Sequence, residues 1–426
     1  MSTSTRHPGF LIAAIVAILL LASGSQAQSY KILHFFTGHE DGDLPADGPT
    51  VDAVGNIYGT SQGGYFDGCG NVFEFAPKSD GAWTETVLTT FDCSGAFGIT
   101  PYGNVIFDKE GNLYGTTSSG GAFGNGTVFK LTSNPDLTWS LTVLHHFAGS
   151  PDDGAFSIAG VIFDASGNLY GSTCAGGTSG YGTVFQLKPE RDGSWTETVL
   201  HSFQGGVDGN CPYGPPTFDG ARNNLYGTTS SGGTNAQCSG CGIVFQLQRN
   251  QNWKESVLYS FAGGADGSQP LAGLTWARPD TLYGTTNVGG TNELGTVFQV
   301  ARSHGTWTES VIHSFSGPDG GFPQSSLVFD GRNLYGTTSA GGVSHAEDAG
   351  GTVFKLEFSS GQWAERLLHS FDGPPNDGVL PVSGVALRHD ATGLHIFGTT
   401  WRGGPEQCVL GCGEVYEITR RLQSTR

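Results

Sequence analysis

Along most of this chain, apolar and polar residues alternate in short bursts, and the bursts come in sets of four. Between positions 160 and 203 the runs are GVIFD (160–164), NLYGST (168–173), GTVFQL (182–187) and WTETVLHSF (195–203). Side chains alternate with a period of two inside each run, and no segment sustains a helical period, so each run predicts a half-buried strand. The joining segments are turn chemistry. DASGN (164–168) suits a tight hairpin, CAGGTSGYG (174–182) is a Gly-rich loop, and KPERDGS (188–194) closes the third run onto the fourth.

The set recurs. A Tyr-Gly-Thr core or a close variant of it centres on Gly59, Gly115, Gly171, Gly227, Gly284, Gly336 and Gly398, at spacings of 56, 56, 56, 57, 52 and 62 residues. Four antiparallel strands in each of seven units of nearly constant length predict a seven-bladed β-propeller, an all-β ring of four-stranded blades. A β-helix needs much shorter coils, and separate sandwiches would not keep one period.

One run stands outside the count. SYKILHFF (29–36) matches the fourth-run theme TVLHSF (198–203) and has no unit before it, whereas the seventh unit has only three runs, the last being GEVYEI (413–418). The predicted ring is therefore closed by residues 28–36 acting as the fourth strand of blade seven. That removes the open sheet edges that invite association.

Residues 1–27 carry Arg6, the apolar run LIAAIVAILLLA (11–22) and small residues before Ala27, the pattern of a cleaved signal peptide. The expected domain plan is a signal peptide over 1–27 and a single propeller over 28–426. The expected location is secreted, periplasmic or cell-surface, for a monomer with no membrane span. Composition then narrows the function. Sixty-nine glycines in 426 residues far exceed the usual share of about 7%, yet dense aromatics argue for punctuated strands rather than disorder. The formal charge of −18, or −19 without Arg6, argues against a basic face for nucleic acid or anionic lipid.

The combination NLYGTT…GG…GTVFKL…W, seven times over nearly the whole chain, resembles the bacterial tandem-repeat family described as GloVer-containing, choice-of-anchor proteins. The resemblance implies an exported repeat protein. Such proteins are often joined to differing C-terminal surface anchors, and nothing after Ile418 reads as one. It carries no catalytic residues onto this chain.

Candidate chemistry gathers on one face of the predicted ring, where the loops between strands two and three lie beside the connections from strand four to the next blade. All eight cysteines fall there: Cys69, Cys93, Cys174, Cys211, Cys238, Cys241, Cys408 and Cys412. An even number in an exported chain predicts disulfides. Equivalent placement suggests 69–93 and 174–211, with CSGC (238–241) and CVLGC (408–412) closing within their own loops. Pairing across loops is the alternative, and a zinc site is disfavoured because the two short Cys pairs lie almost opposite on the ring.

After six of the fourth strands comes an Asp-Gly turn holding Asp41, Asp153, Asp208, Asp266, Asp319 or Asp377; the first-to-second connection has Asp92 and Cys93 instead. These carboxylates are candidates to ring the channel mouth and to bind Ca2+ or a hydroxyl-rich ligand. Asp-Gly is also ordinary turn chemistry, which satisfies local backbone N–H groups. Aromatics that vary from unit to unit, namely Tyr65, Phe66, Phe97, Tyr102, Phe123, Phe156, Tyr181, Tyr213, Phe322 and Trp401, are candidate ligand contacts or loop packing. The histidines of the fourth runs (His34, His145, His201, His313, His369) belong to different blades and read as repeat residues rather than as a cluster. The Trp slot before them (Trp83, Trp139, Trp195, Trp253, Trp307, Trp363) reads as blade packing.

No catalytic motif appears, neither G-x-S-x-G, H-E-x-x-H, a Walker loop, a dinucleotide fingerprint nor the box S-x-D-x-G-x-x-W. The sequence therefore predicts a binding or scaffolding module for a glycan, protein or Ca2+. The competing readings are a carbohydrate-active hydrolase or lyase with carboxylates near the channel, and a purely structural surface protein.

Overall fold

The computed structural model describes residues 28–63, 69–235, 240–343, 350–405, 408 and 411–421. The expected signal peptide lies outside these residues. The ring has seven four-stranded antiparallel blades, each ordered from an inner to an outer strand. Blade one comprises Thr50–Val51, Ile57–Ser61, Asn71–Pro77 and Trp83–Thr90. Blade four comprises Thr217–Phe218, Asn224–Thr229, Ile243–Gln248 and Lys254–Ser260. Blade seven takes Ala386–Asp390, Gly393–Thr400 and Glu414–Arg421 from the end of the chain, and Gln28–Phe35 from its beginning. Gln28 pairs with Arg420 and Phe35 with Glu414, so the expected closure is present.

The core lies between blades rather than within them. Seven separate apolar clusters each span one junction. Between blades one and two, for instance, Tyr58, Val72, Leu88 and Phe91 meet Val105, Leu113, Phe129 and Leu131. The Trp slot serves these junctions. Trp195 packs edge-on against Tyr114 of the preceding blade at 6.2 Å, and Trp363 against Tyr283 at 5.5 Å.

The Tyr-Gly-Thr core has a separate task for each residue. The Tyr114 hydroxyl donates to Asp108 at 2.9 Å, in the hairpin that opens the blade, and the Asn112 amide donates to the same carboxylate at 2.7 Å. A Cβ at Gly115 would meet the Phe129 ring at 2.6 Å, so the glycine leaves room for the aromatic of strand three. Thr116 Oγ1 donates to the Ala159 carbonyl of the next blade at 2.7 Å. Its counterparts Thr228 and Thr337 reach Ala272 and Ser383 in the same way.

Every outer strand carries a β-bulge where its register shifts against strand three. In blade three Val199 pairs with Phe185 and His201 with Val184, leaving Leu200 as the extra residue. The bulge lets Leu200 pack into the junction core and re-aims the histidine that follows.

Candidate functional site

The disulfides expected on the loop face are present for Cys69–Cys93, Cys174–Cys211 and Cys408–Cys412. Cys241 is also disulfide-bonded, and Cys238 lies outside the described residues. Cys69–Cys93, Cys174–Cys211 and short pairings such as Gly154–Ala155 with Ala175–Gly176 tie a connection to a loop between strands two and three, whereas Cys408–Cys412 closes within one such loop.

The six Asp-Gly carboxylates occupy a different place from the channel mouth. None of them lines the channel. Each sits at the start of its connection and turns back to its own outer strand. Asp41, Asp153, Asp319 and Asp377 meet the imidazoles of His34, His145, His313 and His369 at 3.0–3.2 Å. Asp208 lies 3.3 Å from His201. In blade four Tyr259 stands in the His slot and donates to Asp266 at 2.7 Å. Each carboxylate also accepts a backbone N–H of the turn, as from Thr37 to Asp41 at 2.8 Å and from Ala148 to Asp153 at 2.7 Å. Burial alone would raise Asp41, Asp208 and Asp377, but the hydrogen bonds from the histidines and the turn overcome it and hold them below the usual carboxylate range.

A third group completes the arrangement, and sequence reasoning missed it. The second residue after each Trp is often glutamate, and Glu85, Glu197, Glu255, Glu309 and Glu365 lie beside the His–Asp or Tyr–Asp pair of the preceding blade. Burial first, and then the neighbouring aspartate, pushes Glu197, Glu255 and Glu365 up to about 7 and Glu309 to about 8. Glu85 is likewise pushed up to about 7 by burial, and His34 opposes that rise. In all five glutamates the Oε1 atom is buried without a hydrogen-bond partner. The signal was in the repeat itself. Blade one has Thr89 for the histidine, blade two has Leu141 for the glutamate, and the turn between them has Asp92-Cys93, so the set is lost together.

The channel is narrow. Its lining includes Asp47, Tyr102, Tyr213, Gln324, Ser325 and Ser326, around a cavity of about 50 Å3. This holds only a few waters. Asp47 accepts from the backbone N–H groups of Gly48 and Asn104 at 2.7 Å each, and burial pushes it up to about 6. Burial also raises Tyr102, and the nearby Tyr213 raises it further. The structure thus brings Tyr102 and Tyr213 together in the channel, away from the other candidate aromatics.

Those others divide sharply. Phe97, Phe123, Phe156 and Tyr181 are 41%, 61%, 47% and 42% exposed, and they are the large exposed aromatics among the described residues. All four lie on the loops and connections of blades two and three. The Thr127 hydroxyl donates to the Phe97 carbonyl at 3.0 Å, and the Phe156 N–H to Asn125 at 2.9 Å, which binds these neighbouring segments to one another. Beside Tyr181 opens a shallow groove lined by Asn210, Ser231, Thr234 and Asn235. Phe322 is half-buried. Trp401 is also half-buried, with Arg402 over its ring at 5.0 Å. Tyr65 and Phe66 lie outside the described residues.

The family model described as the Gloeobacter/Verrucomicrobia repeat matches residues 20–149, 86–275 and 235–425. No curated protein matches the chain. Among solved structures, a provisionally assigned 6-phosphogluconolactonase from Bacteroides uniformis aligns at 14% identity and TM-score 0.47, covering 81% of this chain and 90% of its own. A protein from Lactobacillus plantarum aligns at 14% identity and TM-score 0.47, covering 76% and 84%. A hypothetical selenium-binding protein from Sulfolobus tokodaii aligns at 10% identity and TM-score 0.51, covering 84% and 90%, a likeness of fold alone. No helix among the described residues is long and apolar enough to cross a membrane.

Proposed function

We propose that this chain, which belongs to the Gloeobacter/Verrucomicrobia repeat family, is an exported glycan-binding propeller that uses the loop face of blades two and three. The observation that carries this reading is the confinement of the exposed aromatics Phe97, Phe123, Phe156 and Tyr181 to that one sector. Aromatic faces pack against the apolar faces of sugar rings, and amide and hydroxyl groups such as Asn210, Ser231, Thr234 and Asn235 in the adjoining groove suit sugar hydroxyls. Variation on a regular scaffold is also where a recognition surface is written.

The hydrolase reading has less support. Glycoside hydrolysis ordinarily needs two carboxylates flanking the bond. Among the described residues that line the channel cavity, Asp47 is the one carboxylate, and the cavity is only about 50 Å3. Ca2+ takes six to eight oxygen ligands, whereas the six Asp-Gly carboxylates are spread one to a blade around the ring.

The test is a glycan-array screen followed by calorimetry on the best ligand, with and without EDTA. Phe123→Ala and Tyr181→Ala should each weaken binding at least tenfold with unchanged melting temperature, and EDTA should have no effect. Retention of full affinity in the double variant, or no glycan bound at all, would overturn the assignment.

A further inference from the structure

We propose that His34, Asp41 and Glu85 form a binding site for one divalent transition-metal ion of the zinc class, at the seam where the ring closes. The three residues come from three places. His34 is on the N-terminal strand that completes blade seven, Asp41 is in the turn that follows, and Glu85 is on the outer strand of blade one. A metal held there would clip the closing strand to the blade beside it.

The geometry supports a small ion. His34 Nε2 lies 3.1 Å from Asp41 Oδ2 and 3.6 Å from Glu85 Oε2. Ligand bonds of about 2.0–2.2 Å in a tetrahedron set their donor atoms about 3.3–3.6 Å apart. Among the described residues this is the one place where three potential ligand atoms from His, Cys, Asp or Glu all fall within 4.8 Å of one another. One imidazole nitrogen with two carboxylates suits zinc and its neighbours in the first transition row, and is too poor in oxygen for Ca2+.

Two further observations point to a ligand. Glu85 Oε1 is buried without a hydrogen-bond partner, as in the four equivalent glutamates, but among the described residues only here do a histidine and an aspartate place their ligand atoms within 4.8 Å of the glutamate's, so a cation can relieve the cost of the unmet acceptor. The site also opens onto a surface cavity lined by Thr37, His39, Glu40 and Val87, which leaves a direction for ion entry and a fourth ligand. Thr37 already orients Asp41, donating from Oγ1 to Oδ1 at 2.6 Å and from its backbone N–H to Oδ2 at 2.8 Å. Such outer hydrogen bonds are what hold a metal-binding carboxylate in place.

The experiment uses the untagged full ring, stripped with a chelator and titrated with zinc chloride by calorimetry and thermal melting. One equivalent should bind with micromolar or tighter affinity and raise the melting temperature. Glu85→Gln keeps the shape and should weaken binding at least tenfold. His145→Ala breaks the equivalent pair of blade two and should leave zinc binding intact. Absence of binding, equal affinity in the Glu85→Gln protein, or equal loss in the His145→Ala protein would overturn the proposal. X-ray absorption on the loaded protein should show one imidazole among nitrogen and oxygen ligands, and a shell without imidazole would count against it as well.

Discussion

Tyr30 lies flat on His369, with ring centroids 3.7 Å apart and planes within 9°. It takes the place that glutamate holds at five other junctions, and its hydroxyl oxygen lies 2.7 Å from an Asp377 carboxyl oxygen and 2.5 Å from one of Glu414, with its single proton shared between them. The closing strand is thus held by side chains on both of its flanks as well as by its ladder. Tyr30→Phe keeps the stacking but leaves Asp377 and Glu414 short of a donor. It should cost about 1–3 kcal/mol, read as a shift in the urea midpoint. Unchanged stability would mean that the seam does not depend on this hydroxyl.

The glycine of strand two makes a second prediction. A Cβ at Gly227 would approach the Phe245 ring to 2.5 Å. Gly227→Ala should destabilise by about 1–3 kcal/mol through overpacking. Pairing it with Phe245→Leu should recover part of the loss, and a double-mutant cycle would measure the coupling.

The junction carboxylates set the response to pH. The folded values of Glu197, Glu255, Glu309 and Glu365 lie above their ordinary 4.5. The folded state therefore holds more protons than the unfolded chain from about pH 4.5 upward, and their contribution to stability is lost as pH rises through about 7–8. Asp208 and Asp377 act in the opposite sense: their folded values are depressed below 3.8, so their contribution is lost as pH falls through them. Thermal melts should peak near pH 4–5, and the four-fold Glu→Gln variant should flatten the decline above that range. A melting temperature that climbs from pH 5 to 8 would contradict this account.

Disulfides should matter in proportion to the chain they close. Cys174–Cys211 spans 37 residues and Cys408–Cys412 only 4. Replacing the first pair by alanine should cost about 3–4 kcal/mol and the second about 2 kcal/mol, by loop-closure entropy. Denaturant titrations of the two double variants test the order.

How much of this was legible in the sequence follows from how local each cause is. Alternation in LYGTT and GTVFKL is a local consequence of burying one side of a strand against the next blade, so the blades could be counted. The orphan run SYKILHFF could be assigned because strand four was missing elsewhere. The bulge at Leu200 left no such mark, since an extra leucine before His201 does not disturb the apolar pattern of TVLHSF. The Asp208–His201–Glu255 relationship joins residues 54 apart in sequence through the angle between two blades. Reading Asp208 as a turn residue was possible, but placing it against the outer strand needed the fold. Tyr102 and Tyr213 look like any variable loop aromatics until the inner segments are seen to converge.

The antiparallel pairing of Gln28 with Arg420 has a topological consequence. In the six other blades strand four follows strand three directly, across turns such as Glu190 to Ser194, where the Glu190 N–H bonds the Ser194 carbonyl at 2.8 Å. The seam between Arg421 and Gln28 takes the place of that turn with no covalent bond across it. A circular permutant that links Arg421 to Gln28 and begins instead at Gly193 would keep every strand pairing, because a closed ring has no privileged first blade.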